Sequence, residues 1–214
     1  RCKQRCLRSK LPGVASVNPV STREPLTRER VLAAALDVID RDGLDAFTMR
    51  RLGAELGVEA MAVYRHVPGK AAVLDGVIEA MLAELNDVEP APGDWRDALR
   101  ALALRHRALE RRHPGAYPLF ARMPAAAYAA ARRTVAGIFD TLGAAGFSPA
   151  DAARALRLVV RFTIGFALTR PVEGADVPAG DPLATLLRRL ADPAEEDVLF
   201  ETGLTALLDG LAGS

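Results

Sequence analysis

Between residues 27 and 70 the helical period is interrupted three times, at Gly43, at Gly57 and at Pro68-Gly69. These breaks leave room for one helix of ordinary length and two very short ones. Thr27 opens the first as an N-cap, Glu29 lies in its first turn, and Gly43 stops it. Val31, Ala35, Val38 and Ile39 recur at three- and four-residue steps and give it one apolar face. Thr48 caps the second piece, MRRLGAEL, and the third runs from Glu59 to His66. Gly53 lies four residues before Gly57, where the two short pieces must cross, and a missing side chain there lets the backbones approach. Gly57 suits a left-handed turn. Braced by the first helix, the pair reads as a helix-turn-helix unit.

Leu52, Leu56, Val58 and Val63 are expected to point inward and fix the crossing. Glu59, Ala60, Met61, Ala62, Tyr64, Arg65 and His66 are left facing out. Small residues at the start of that helix would let it enter a major groove about 12 Å wide. Tyr64 and His66 would reach a phosphate or a base edge. Thr48 and the amides behind it offer an anion site at a helix N-terminus, with Arg50 projecting from the same end. Charge does not decide the matter: residues 23–70 hold eight cations and eight acids. Short helices around a glycine also occur in proteins that never touch DNA. A DNA reader and a plain helical interaction module therefore both remain open on these residues alone.

The rest of the chain is helical in pattern. Lys70 opens a longer helix to residue 85, with Val73, Leu74, Val77, Ile78, Met81 and Leu85 inward. A Pro/Gly-rich bend, NDVEPAPGD, follows. Further helices are expected at 95–112, 117–122, 124–142, 148–169, 183–190 and 193–211. Aromatics make up 5% of the 214 residues, Ala and Leu abound, and no strand signal stands out, which together predict an all-α fold. Residues 1–24 read as a disordered basic extension, since the first 30 residues hold eight cations against two acids. Cys2 and Cys6 are the chain's two cysteines, with no histidine beside them, so no metal or cofactor is expected, and a cytoplasmic setting is. No apolar run approaches the roughly 18 residues of a membrane span. The three histidines are scattered and no nucleophile–base set or phosphate loop is visible, which argues against an enzyme.

The stretch VLAAALDVIDRDGLDAFTMRRLGAELGVEAMAVYRHVPGKAAVLDGV resembles the N-terminal domain of the tetracycline-repressor (TetR) family of transcriptional regulators. GDWRDALRALA, AGFSPADAARALRLVVRFTIGFAL and FETGLTALLDGL resemble segments of that family's ligand-binding core. The resemblance implies a helix-turn-helix DNA-binding domain over 25–70 and a helical ligand-binding and dimerisation domain over 71–214, with 71–86 as the connecting helix. It implies double-stranded DNA, a small-molecule effector and a second copy of the chain as partners, and no membrane. Arg50 falls at a base-contact position and Thr48 at a phosphate contact. Ala60, Met61 and Ala62 fall at base-facing positions, and Tyr64, His66 and Lys70 at phosphate or groove contacts. Apolar residues at 60–62 replace longer polar ones, so thymine methyl contacts are expected there.

The resemblance also implies a homodimer through the helices near 148–169 and 193–211. Leu156, Val159, Val160, Thr163 and Ala167 form one stripe for it, and Leu199, Phe200, Leu204, Leu207, Leu208 and Leu211 a second. The alternative is that these stripes pack within the chain. The family's metal-assisted drug site is not reproduced: its metal-binding imidazole falls at Leu119, its metal-linked carboxylate near Thr169, and polar contacts at Leu102 and Ile138. Asn86 keeps a polar side chain and His106 stands where the family has an aromatic. With Met123 and Phe162, these residues predict a largely apolar pocket for a hydrophobic molecule held without metal. Arg122 and Arg161 would add a site for an anion or a carbonyl. What the resemblance implies is thus a ligand-responsive dimeric repressor. The alternative is a helical interaction or architectural protein without ligand-regulated DNA binding.

Overall fold

The computed structural model describes residues 25–86, 94–122, 128–169, 184 and 192–212. The expected extension 1–24, Met123 and all but residue 184 of the helix expected at 183–190 lie outside these. Every regular element among the described residues is helical: α1 (Arg28–Asp42), α2 (Met49–Leu56), α3 (Ala60–Val63), α4 (Lys70–Asn86), α5 (Trp95–Arg112), a 3₁₀ segment (Tyr117–Arg122), α6 (Tyr128–Ala144), α7 (Pro149–Leu168) and α8 (Pro193–Ala212). The fold is all-α, with an N-terminal helix-turn-helix and a C-terminal helical domain. No described helix is long and apolar enough to cross a membrane.

The helix ends follow local chemistry. Thr27, Thr48, Asp94 and Ser148 each accept a backbone N–H with the side-chain oxygen, and Asp94 and Asp97 complete a capping box. Gly57 closes α2 at φ 66°, ψ 33°, the left-handed conformation the turn requires. A Cβ on Gly53 would lie 2.9 Å from the Val58 carbonyl oxygen and 3.1 Å from the Ala60 nitrogen, so the α2–α3 crossing depends on its bare backbone. One expectation is corrected. The third helix ends at Val63 rather than His66. Arg65 and His66 donate three residues back, to Ala62 and Val63, and the chain tightens toward Pro68.

Buried side chains form two clusters. The first joins α1, α2, α3 and α4 through Val31, Phe47, Leu52, Val63 and Val77, and extends to Leu109, Tyr117 and Leu119. The second gathers Trp95 and Leu99 of α5, Leu142 of α6, Val159 of α7, and Leu204 and Leu208 of α8. No break in packing therefore falls at residue 70. Helix α4 belongs to the core of the helix-turn-helix and continues past it.

Two joints fix these elements, the first between the two halves and the second within the helix-turn-helix. At the first, His113 Nδ1 lies 2.6 Å from Asp40 Oδ2, the Ala116 N–H donates to Asp40 Oδ1 at 3.0 Å, and His113 Nε2 lies 3.3 Å from Glu84 Oε1. The turn after α5 is thus bracketed between the end of α1 and the side of α4. At the second, Lys70 Nζ donates to the Phe47 carbonyl at 2.6 Å and stands over the Phe47 ring.

The two stripes expected to meet a partner chain are partly used within this one. Val159, Thr163, Phe200, Leu204 and Leu208 are buried in the protomer, because α7 and α8 turn those faces toward each other and toward α5. The apolar residues left outward on the two helices are Leu158 and Leu168, and Val198 and Leu199.

Candidate functional site

Helix α3 presents its edge to solvent. Met61 is 72% exposed and Tyr64 44%, with Ala60, Ala62 and His66 half-buried between them and the core. An apolar side chain so exposed gains nothing from the fold and is available to a partner. Val63, on the opposite side of the helix, is fully buried and anchors this presentation. Arg50 stands exposed on the first turn of α2 and makes no ion pair with a described residue. Its neighbour Arg51 is committed: it lies 2.8 Å from Asp42 and 3.1 Å from Glu55, while Arg41 pairs with the same two acids at 3.0 and 2.8 Å. Hydrogen bonds from Arg41, above all, hold the Asp42 and Glu55 carboxyls below the usual carboxylate range. These pairs are open to water, so they orient α2 against α1 more than they stabilise it.

Two residues expected at phosphates have internal tasks as well. The Thr48 hydroxyl oxygen accepts from the Arg51 amide, and one Lys70 proton is given to Phe47. Lys70 keeps two donors for other partners. Thr48, Arg50, Met61, Tyr64 and Lys70 are all exposed.

A cavity of about 710 Å³ lies between α4, α5, α6, α7 and the 3₁₀ segment. Leu82 and Leu85 of α4, Leu102 of α5, and Val135 and Ile138 of α6 line it, and α7 adds Leu156, Val160 and Ile164. Its polar lining consists of Asn86, His106, Thr134, Arg157 and Arg161. Five expected contacts, Asn86, Leu102, His106, Ile138 and Arg161, are on its wall.

Three others are elsewhere, and this is a correction. Leu119 faces the first core, because the 3₁₀ winding turns it inward and brings Phe120 and Ala121 to the cavity instead. Phe162 lies on the other side of α7, stacked with Phe166 and Phe200 against the bare backbone of Gly203. Arg122 is exposed and off the wall. Arg157, Thr134 and Phe120 were not anticipated. The one local signal was the four-residue spacing of Arg157 and Arg161 in an otherwise apolar run.

His106 is 5% exposed, with Nδ1 3.0 Å from the Tyr117 hydroxyl and its ring edge-on to Phe120. Burial pushes its pKa from the ordinary 6.5 down to about 4, so it is neutral at neutral pH. Burial likewise raises the Tyr117 hydroxyl. The pH consequence follows from the sign. The folded pKa lies below the unfolded one, so the unfolded chain binds the extra proton between these values. The His106 contribution is complete above pH 6.5 and is lost as pH falls toward 4. Between pH 7 and pH 5 the chain should lose about 2 kcal/mol through this one residue. Urea titrations of the parent and of His106→Phe at both pH values check this. The variant should lose that much less on acidification, and equal losses in both would exclude the effect.

Comparison with known proteins agrees with both halves. Residues 31–77 match the description of bacterial regulatory proteins of the tetR family, and residues 89–174 match the tetracyclin repressor-like C-terminal domain. The chain is 36% identical over 202 residues to tetracycline repressor protein class A from transposon 1721 of Escherichia coli, covering 85% of this chain and 88% of that protein. A solved structure described as "a possible TetR family transcriptional regulator" from Streptomyces coelicolor A3(2) has a TM-score of 0.74 at 34% identity, covering 87% of this chain and 98% of that one. The Streptomyces coelicolor TetR family protein ActR, in complex with (S)-DNPA, has a TM-score of 0.68 at 27% identity, covering 89% of this chain and 99% of that one.

Proposed function

The chain belongs to the tetR family of bacterial regulatory proteins and is a transcriptional regulator, not an enzyme, and from that premise we propose that it is a dimeric repressor released from its operator by a small, largely hydrophobic molecule bound in the cavity. The observation that supports this most is the continuity of α4. Its first half packs against α1 in the core that also holds Val63 of α3, and its last residues, Leu82, Leu85 and Asn86, form cavity wall. Arg50, Met61 and Tyr64 read the operator; Thr48, His66 and Lys70 meet its backbone; Ala60 and Ala62 keep the approach close. Apolar Met61 favours thymine methyls over bidentate hydrogen bonds.

Two copies meet through the outward faces of α7 and α8, where Leu158 and Leu199 are exposed. A two-fold dimer requires an inverted repeat, with its reader helices about 34–36 Å apart. The ActR complex with (S)-DNPA, in a chain of similar fold, supports a small-molecule ligand, and the apolar walls here support a hydrophobic one. The effector must bind the released arrangement more tightly than the operator-bound one, since equal affinity shifts nothing. Gel-shift titration against DNA flanking the chain's own gene tests the reading. A retarded band is expected on a fragment holding an inverted repeat, at a stoichiometry of two chains per site. No retardation at low salt by any inverted repeat in that DNA would exclude it.

A further inference from the structure

We propose that the cavity takes an amphipathic organic anion: an apolar body with one carboxylate or comparable acidic group, seated with that group between Arg157 and Arg161. This rests on the effector reading above and narrows it to a chemical class.

The charge balance of the wall is the first observation. Arg157 and Arg161 are four residues apart on α7, so their guanidinium groups lie on one side, a helical turn from each other. Like charges at that spacing repel. Nothing offsets them here. Neither makes an ion pair with a described residue, and no described aspartate or glutamate lines the cavity. Other arginines nearby differ. Arg107 reaches Glu110 at 3.1 Å, Arg100 reaches Glu201 at 2.5 Å, and Arg154 pairs with Asp151 on α7 itself. Among the described residues, the two cavity arginines are left without a counter-charge.

The second observation is that the rest of the described polar lining carries no charge. Thr134 donates to the Asn86 side-chain oxygen, and His106 is hydrogen-bonded to Tyr117 and uncharged. A cationic ligand would meet repulsion with no acid to relieve it. A neutral hydrophobe would fill the walls and leave the two charges as they are. A ligand with an apolar body and one anionic end satisfies both. Both arginines line the cavity yet are exposed, so their attraction for an anion is partly screened and should be clearest at low salt. The volume of about 710 Å³ admits a body of about three fused rings.

Three molecules with one skeleton separate the possibilities: anthracene-9-carboxylate, 9-anthracenemethanol and 9-(aminomethyl)anthracene. Each is titrated by fluorescence into the full DNA-free chain at pH 7.5 and low salt. The carboxylate should bind about tenfold more tightly than the alcohol, and the amine more weakly than either. In Arg157→Gln/Arg161→Gln the ratio of carboxylate to alcohol affinity should fall to about one, while Arg157→Lys/Arg161→Lys should keep it. A melting temperature within about 2 °C of the parent shows that each variant is folded. An alcohol that binds as well as the carboxylate, or a preference that survives the double glutamine variant, overturns the anion assignment and leaves a hydrophobic effector standing. Failure of all three to bind overturns both.

Discussion

Gly115→Ala should melt about 10 °C below the parent, an expected loss of about 3 kcal/mol. A Cβ at residue 115 would lie 2.3 Å from the Ile39 carbonyl oxygen and 2.7 Å from the Asp40 Cα. Both obstacles are backbone. The Ile39 carbonyl accepts the Gly43 N–H at 2.9 Å in closing α1, so moving it would undo the helix end. The turn must retreat instead, and retreat breaks the bonds of His113 and Ala116 to Asp40. Breaking them strands a partly buried carboxylate, which adds to the steric cost. Thermal denaturation followed by circular dichroism measures the loss. A variant that melts within 2 °C of the parent would mean that the turn docks less tightly than the distances require.

Arg50→Ala and Tyr64→Ala should each weaken operator binding about tenfold or more, and the double variant about a hundredfold or more, with stability unchanged within about 0.5 kcal/mol. The separation of effects follows from exposure. Arg50 makes no ion pair with a described residue, and Tyr64 is outside the core, so removing either leaves the fold's buried contacts in place. Arg51→Ala is the internal contrast, because its guanidinium spans Asp42 and Glu55. It should disturb the seating of α2 as well as binding. Fluorescence anisotropy on a labelled operator, at one fixed salt concentration, reads the affinities. A double variant that binds as tightly as the parent would show that this edge is not the reader.

What was legible in the sequence was what is local. Thr27 and Thr48 cap helices where they were expected to, because a cap is settled within three residues. Gly53 and Gly57 do what their spacing implied, since a turn and a close crossing leave few residue types to choose from. The cavity was legible only in part, because a stripe of period 3.6 names a buried face without naming its neighbour. Phe162, expected at the cavity, packs half-buried against α8 instead, and Val159 and Leu204 face their own chain. Leu119 faces the first core while Phe120 reaches both that core and the cavity, because a 3₁₀ segment advances by a different angle per residue from an α-helix. The bond between His113 and Asp40 joins positions 73 residues apart, and nothing in either neighbourhood announces it.

Helix α4 spans 17 residues, about 25 Å at 1.5 Å each, with one end in the cavity wall and the other in the core that also holds Val63 of α3. That length makes it a lever. A tilt of about 5° imposed at the Asn86 end displaces the Lys70 end by about 2 Å. A hydrogen bond to a base edge tolerates a few tenths of an ångström. On the proposed function, a guest molecule that wedges Leu82 and Leu85 apart from α7 by the width of a single bond would be magnified, along a rod that cannot telescope, into a misfit on the duplex.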